Sequence, residues 1–181
     1  GFPSRSTEAA DLDIDVAAHG TLDLVSLSDL ADSTSLVRRT HAKPDAEAAL
    51  RTTHAIVGGR LQRLDFGVAL GGERARLESR GVFVLRGREH SDVHLDLRHV
   101  ARDAACDVLW RGVADQRSRG IFHGAITVEP GADGSDAKLS SKNVLLSSSA
   151  EIDTQPVLEI HADEVQAAHG ATVGQIDERA L

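Results

Sequence analysis

Apolar and polar side chains alternate along most of the chain in short runs. Leu12, Ile14 and Val16 form one such run, and residues 152–160 form another. Successive side chains of an extended strand point to opposite faces, so this alternation predicts strands with one packed face each. Signals for the start or end of a helix are nearly absent. The pattern therefore predicts an all-β chain.

The predicted strands are separated by Gly, Ser, Asp or Pro, the residues that turns select. Residues 29–50 are ambiguous, because 46–50 could form a short helix and the position after Pro44 also fits a strand corner. Residues 1–10 are expected to be disordered or tag-derived, and residues 11–181 to form one domain. The predicted strands cover residues 12–16, 22–24, 54–57, 61–70, 75–78, 81–85, 93–97, 108–110, 121–128, 139–146 and 152–160.

Many short strands can build a sandwich, a barrel or a β-helix. The Asn-Gly or Asp-Gly hairpin signal occurs once, at Asp133-Gly134, so an antiparallel meander would mostly lack its favoured turn. Most breaks resemble corners, such as Ala162-Asp163-Glu164, that bend one strand into the next. Both features favour a parallel β-helix, in which each coil buries its apolar face against the next coil. Coils of roughly 20 residues predict seven or eight coils and a rod about 40 Å long.

Composition limits the class of function. The net charge of −8 argues against a nucleic-acid groove, which needs clustered Lys and Arg. No apolar run approaches the roughly 20 residues that span a membrane, and the first residues lead us to expect no signal peptide. A single cysteine, Cys106, cannot form an internal disulfide, so we expect a cytoplasmic protein.

No motif in the sequence forms an independent active site. There is no phosphate-binding glycine loop followed by Lys-Ser/Thr, no Gly-x-Ser-x-Gly and no His-Glu-x-x-His. We therefore expect a protein that is not an enzyme. The alternative is an autonomous β-helix enzyme that acts on carbohydrate, which would need aromatic platforms and clustered carboxylates. With four Phe, one Trp and no Tyr, the chain is poor in aromatics.

His169 is the strongest candidate for a functional side chain. It is in phase with Val165 and Ala167, so its ring is expected to point at packed protein and to be largely removed from solvent. Imidazole binds metals near neutral pH and also relays protons. The alternative is a buried histidine whose ring is hydrogen-bonded to a backbone carbonyl.

A second group of histidines, His90, His94 and His99, could suggest a metal site. The alternation of Val93, Leu95 and Leu97 instead predicts a strand with His90, Asp92, His94 and Asp96 on its outer side. A solvated or interface surface is favoured there. Cys106 is interpreted as structural, because the neighbouring Asp103 and Asp107 would oppose thiolate formation.

Four segments carry a resemblance to a known family, residues 80–94, 110–133, 143–147 and 145–177. In this order they resemble the core domain of SufD proteins, in the SufB/SufD family of the SUF iron–sulfur cluster assembly system. The resemblance runs from about Arg51 to the C-terminus. It implies a right-handed parallel β-helix that serves as a scaffold subunit of a SufBCD complex. It also implies that the chain pairs with SufB, and that the SufC ATPase binds a C-terminal helical segment that would follow Leu181.

The resemblance also implies where the site lies. The family's His-Gly-Ala-Thr motif begins at His169, which is then a metal-binding residue for iron acquisition at the contact with SufB. SufD proteins often have cysteine at the position of Ala167, so this chain lacks a soft ligand. We expect no tightly bound cofactor, transient binding of iron or a cluster together with SufB, and a homodimer when SufB is absent. The residues implied in partner binding are Val165, Ala167, His169, Gly170, Ala171 and Thr172.

Overall fold

The computed structural model describes residues 6–176, which form twelve β-strands in two parallel six-stranded sheets. The chain alternates between the sheets, so each coil contributes one strand to sheet A and one to sheet B. The prediction of an all-β parallel β-helix is confirmed. Sheet A contains β1 (Ser6–Val16), β3 (Thr34–Pro44), β5 (Leu61–Leu70), β7 (His90–His99), β9 (Arg119–Val128) and β11 (Glu151–Ile160). Sheet B contains β2 (Thr21–Leu30), β4 (Ala49–Gly58), β6 (Arg76–Leu85), β8 (Ala105–Ala114), β10 (Asp136–Leu145) and β12 (Gln166–Gln175).

The coils are longer and fewer than the sequence predicts. Paired residues of successive coils lie between 26 positions apart (Ser35 and Leu61) and 32 positions apart (Arg119 and Glu151). The prediction of about 20 residues per coil was therefore wrong, and six coils span about 24 Å. The reason is that residues 76–85 form one strand across the polar Ser79-Arg80, where the pattern had suggested a break. Residues 34–44 likewise form a strand in the segment that the pattern left ambiguous.

The start of the chain is also more ordered than predicted. Residues 6–10 belong to β1 and pair with β3, so the expectation of disorder was wrong for them. Residues 1–5 lie outside the described residues. None of the described residues belongs to a helix long and apolar enough to cross a membrane.

The corners that lead into sheet B repeat in every coil. In each coil, the residue two positions before the strand has a left-handed backbone conformation. The corners also stack by hydrogen bonds, since the N–H of Glu47 donates to the carbonyl of Glu73 (2.8 Å) and that of Arg74 to Arg102 (3.0 Å). A left-handed residue reverses the chain tightly, which explains how each coil turns without a hairpin. These residues are His19, Glu47, Arg74, Asp103, Gly134 and Glu164.

The core lies between the two sheets and is filled mainly by aliphatic residues from both. Three of its largest side chains, Trp110, Phe66 and Phe122, are fully buried. The rings of Trp110 and Phe122 are 5.7 Å apart, and His54 lies 5.2 Å from Phe66 and 5.9 Å from Trp110. These contacts join sheet A to sheet B, so the aromatic cluster connects the two halves of the middle coils.

The packing around Trp110 gives a prediction for Gly81. Gly81 pairs with Trp110 in the register of sheet B, and a Cβ at Gly81 would lie 2.2 Å from the indole ring. We expect Gly81→Ala to lower the free energy of unfolding by about 1–3 kcal/mol, because the indole must shift in a packed interior. Urea denaturation measures this change. Gly170→Ala is the matched control, since nothing lies within 4 Å of a Cβ there. Equal stability of the two variants would contradict the packing described for Trp110.

Polar groups are also buried in the interior. His99 is fully buried, and its Nε2 lies 3.2 Å from the Sγ of Cys106. Burial raises the pKa of the Cys106 thiol to about 12 and lowers the pKa of His99 to about 4. The thiol is therefore protonated and unreactive at neutral pH, which supports the structural interpretation of Cys106.

Candidate functional site

The last coil, formed by β11 and β12, contains the residues that the sequence singled out. β12 pairs with β10, and β11 pairs with β9. Within residues 6–176, neither strand has a strand on its other side. The last coil therefore presents two free strand edges and an uncovered interior.

His169 lies at the end of an interior column, by which we mean inward-facing residues that are in register in successive coils. It pairs with Leu139 of β10, which pairs with Val108 of β8, and both of these are buried. Its side chain thus has the inward direction that the alternation predicted. His169 itself is exposed, however, because no further described coil covers it. The prediction of a ring largely removed from solvent was wrong for the isolated chain.

The other candidate residues divide between the two faces of β12. Ala167 and Ala171 pair with Ala137 and Ser141, both buried, and so belong to the inner face with His169. Gly170 and Thr172 pair with Ser140 and Lys142 and belong to the outer face. Val165 is half-buried and immediately precedes the strand. A partner that covers the end of the solenoid would therefore directly contact only the inner-face residues Ala167, His169 and Ala171.

The backbone of β12 is available for pairing along its free edge. The N–H of Gln166 donates to the carbonyl of Ser135 (2.9 Å), and that of Ile176 donates to Leu145 (3.1 Å). Because backbone groups alternate in direction along a strand, the N–H and C=O of Ala167, His169 and Ala171 point to the free edge. The candidate histidine thus combines an exposed ring with an unpaired strand backbone.

The free edge of β11 is less suitable for pairing. The N–H of His161 donates to the carbonyl of Val128 (2.8 Å), so alternation turns the backbone of Pro156 toward the free edge. Proline has no N–H, and its presence interrupts any continuous ladder along this edge. Strand addition at the last coil is therefore favoured at β12.

The surroundings of His169 contain few potential metal ligands. A groove of about 330 Å³ lies beside it, bordered by Asp107, Lys138 and Ser140 among others. Within residues 6–176, no group of three His, Cys, Asp or Glu side chains is arranged to hold a metal ion. Among the described residues, His169 can therefore supply one ligand of a metal site but not a complete set.

The histidines of β7 lie as the sequence predicted for a strand, with His90 and His94 on the outer face. His94 Nε2 lies 2.7 Å from Asp92 Oδ1, and its ring stacks on that of His123 at 5.4 Å. Asp92 in turn accepts a hydrogen bond from Arg63 (2.6 Å). Burial lowers the pKa of His90. These groups are engaged with one another on the sheet surface.

Two apolar residues at the open end were not predicted to be functional from the sequence. Ile160 is 44% exposed and Val173 is 41% exposed, although both continue the inner face of their strands. The alternation of Ala167, His169, Ala171 and Val173 contains the signal that could have identified the second of them. Together these residues make the uncovered end partly apolar.

Comparison with known proteins identifies the family of the chain. The family model described as the SUF system FeS cluster assembly, SufBD core domain, matches residues 3–181. The chain belongs to this family, and the resemblance found in the sequence is confirmed.

Among its relatives, the chain is similar to the iron-sulfur cluster assembly protein SufD of Escherichia coli, with 32% identity over 75% of this chain and 32% of that protein. It is 31% identical to a SufBD family protein of Synechocystis, over 67% of this chain and 27% of the relative. A SufBD family protein of Mycobacterium leprae is 26% identical over 97% of this chain and 47% of the relative. The chain thus spans between a quarter and a half of the length of these relatives.

Proposed function

We propose that this chain is the core of a scaffold subunit for iron–sulfur cluster assembly. In this role it pairs with SufB, and the two chains form the place where iron is acquired and joined with sulfide. The observation that carries the proposal is the position of His169, which lies in an interior column at the uncovered end, on a strand whose backbone is free to pair. A strand of SufB that adds to β12 would enclose the imidazole at the junction.

Iron and sulfide are substrates of this site, and the chain supplies only part of their coordination. Imidazole is a suitable ligand for iron, but a cluster is usually held by thiolates. Ala167 pairs with Ala137, which pairs with Cys106 in the next coil. The only thiol of this column is therefore buried two coils away from Ala167. The thiolates of the site would come from SufB.

A scaffold role fits the described surface better than carbohydrate chemistry does. β-Helix enzymes that act on carbohydrate need exposed aromatic platforms. Here Phe66, Phe83, Trp110 and Phe122, the aromatic residues of the described region, are all buried. This observation favours a non-catalytic scaffold over an enzyme that acts on carbohydrate. Its place would be the cytoplasm, since the single cysteine of the sequence cannot form an internal disulfide. The ATPase would be a separate SufC-type subunit, in keeping with the absence of a phosphate-binding loop in the sequence.

The free edge of β12 predicts self-association when SufB is absent. An unpaired parallel strand recruits a partner strand, so we expect the isolated chain to be a homodimer in light scattering. Ala171→Pro should shift it to a monomer, because proline removes an N–H from the free edge and leaves the bonds to β10 intact. A monomeric parent at high concentration would contradict this prediction.

The ligand set predicts the result of reconstitution with iron and sulfide. With one buried cysteine and Ala167 at the edge, the isolated chain should hold no iron–sulfur cluster, so the visible absorption of a cluster should disappear after desalting. The matched variant is Ala167→Cys, which adds a thiol two residues from His169 and should retain more iron. A stable brown chromophore in the parent chain would contradict the assignment of thiolates to the partner.

A further inference from the structure

The outer face of sheet B carries a line of valines across four coils. Val57 of β4 pairs with Val84 of β6, Val84 pairs with Val113 of β8, and Val113 pairs with Val144 of β10. Val84 is 43% exposed, and the other three are half-buried. We refer to these four residues as the valine stripe. It runs along the solenoid axis, perpendicular to the strands.

The valine stripe differs from the rest of the same face. Nearer the start of these strands, several outer positions are charged and form ion pairs, as in the contacts of Arg80 with Glu78 and Asp107. At the stripe, the neighbouring inward residues, such as Phe83 and Leu85, are also apolar, with the exception of Asn143 beside Val144. Strands that are apolar on both faces are typical of sheets covered on both sides.

Further exposed apolar residues extend the stripe at its N-terminal end. Leu27 is 70% exposed and Val25 is 77% exposed on the outer face of β2. Leu27 pairs with the half-buried Ala55, which pairs with Val82 beside Val84. Val25 pairs with the exposed Thr53, and the column of the four valines ends at the exposed Asp29, which pairs with Val57. A contiguous apolar surface of this kind marks an interaction site.

The spacing of the stripe matches an α-helix. Successive coils lie about 4.8 Å apart, and a helix rises about 5.4 Å per turn. A helix along the solenoid axis would therefore place about one side chain per turn against one valine per coil. The four valines span about 14 Å, which corresponds to about ten residues of helix.

The charge beside the last two valines is positive on the flank toward the start of the strands. Arg111 and Lys142 occupy the adjacent column, next to Val113 and Val144, and both are exposed. Arg111 donates to the backbone carbonyls of Trp110 and Ser140. Among residues 6–176, no carboxylate forms an ion pair with either cation. A helix on the stripe would therefore be attracted by acidic side chains along this flank.

We propose that the valine stripe is the docking surface for an amphipathic helix of a partner protein. The helix carries one apolar side chain per turn and Glu or Asp along the flank that meets Arg111 and Lys142. The stripe lies on the outer face of the solenoid, so this contact is separate from strand addition at β12. The proposal does not depend on the role of His169.

The test uses a fluorescent 18-residue helical peptide with leucine on every turn and glutamate along one flank, and a matched peptide with lysine in place of glutamate. Fluorescence anisotropy should show that the chain binds the glutamate peptide at least tenfold more tightly than the lysine peptide. Val84→Asp should weaken the binding at least tenfold. The matched control is Val100→Asp, a loop residue of similar exposure (45%), which should bind as the parent does.

Reversing the charges of Arg111 and Lys142 distinguishes this contact from nonspecific binding to an apolar surface. The double variant Arg111→Glu, Lys142→Glu should prefer the lysine peptide, while circular dichroism confirms the parent's β-structure. Absence of binding, or equal binding by Val84→Asp and the parent, would overturn the proposal. The four valines would then only pack against one another on the sheet surface. A homodimer that Val84→Asp dissociates would also overturn it, because the stripe would then be covered by a second copy.

Discussion

Replacing His169 with alanine should abolish cluster assembly while leaving the fold and the complex with SufB intact. The ring is exposed at the end of the solenoid, so its removal should change the free energy of unfolding by less than about 1 kcal/mol. The backbone that pairs with a partner strand is unchanged. The loss would therefore come from the missing imidazole ligand at the junction with SufB.

Complementation measures this effect when the chain replaces the core domain of SufD in a cell whose growth depends on the SUF system. Pull-down of SufB reports the complex in the same strain. His161→Ala is the matched control, an exposed histidine on the same coil that should support growth. Normal growth with His169→Ala would remove this residue from the mechanism, and loss of SufB binding would make its role structural.

Acidification should destabilise the chain strongly between pH 6.5 and 4. Burial lowers the pKa of both His54 and His99 from 6.5 to about 4, and the nearby charge of Arg38 contributes at His54. Between these values the unfolded chain binds protons that the folded chain does not, so the free energy of unfolding falls as the pH falls. Above pH 6.5 both histidines are neutral, and the chain keeps its full stability. As the pH falls from there to the lower pKa, each histidine reduces the free energy of unfolding by about 3 kcal/mol.

Urea denaturation at several pH values between 7 and 4 measures this dependence. His99→Gln removes one of the two groups, so its stability should depend less steeply on pH than that of the parent. His161→Gln, at an exposed position, should retain the parent's slope. Equal slopes for the parent and His99→Gln would show that His99 is not held neutral by burial.

The sequence predicted the class of fold and the direction of side chains well. Alternation around Val93 and Leu95 identified β7 and placed His90 and His94 on its outer face. It also gave the inward direction of His169. This success has a physical basis, because which side of a strand is apolar depends on the strand's own residues.

The length of the coils and the exposure of His169 could not be predicted in the same way. Coil length depends on where strands in different coils pair, and the left-handed corners include charged residues such as Glu47 and Arg74 that give no clear turn signal. The exposure of His169 depends on what stacks upon its strand. That information lies in the neighbouring coil and not in the alternation of β12 itself.

The repeated corners have a consequence for how this architecture can change during evolution. The strands after the first coil are nearly uniform in length, whereas the connections between them range from two residues (Gly59 and Arg60) to seven (Glu129 to Ser135). Insertions and deletions are thus absorbed outside the stacked columns, and the interior of one coil stays aligned with the next. Whole coils could therefore be gained or lost without changes in the sequence of the other coils. Members of such a family can then differ in length while the terminal coil keeps its geometry.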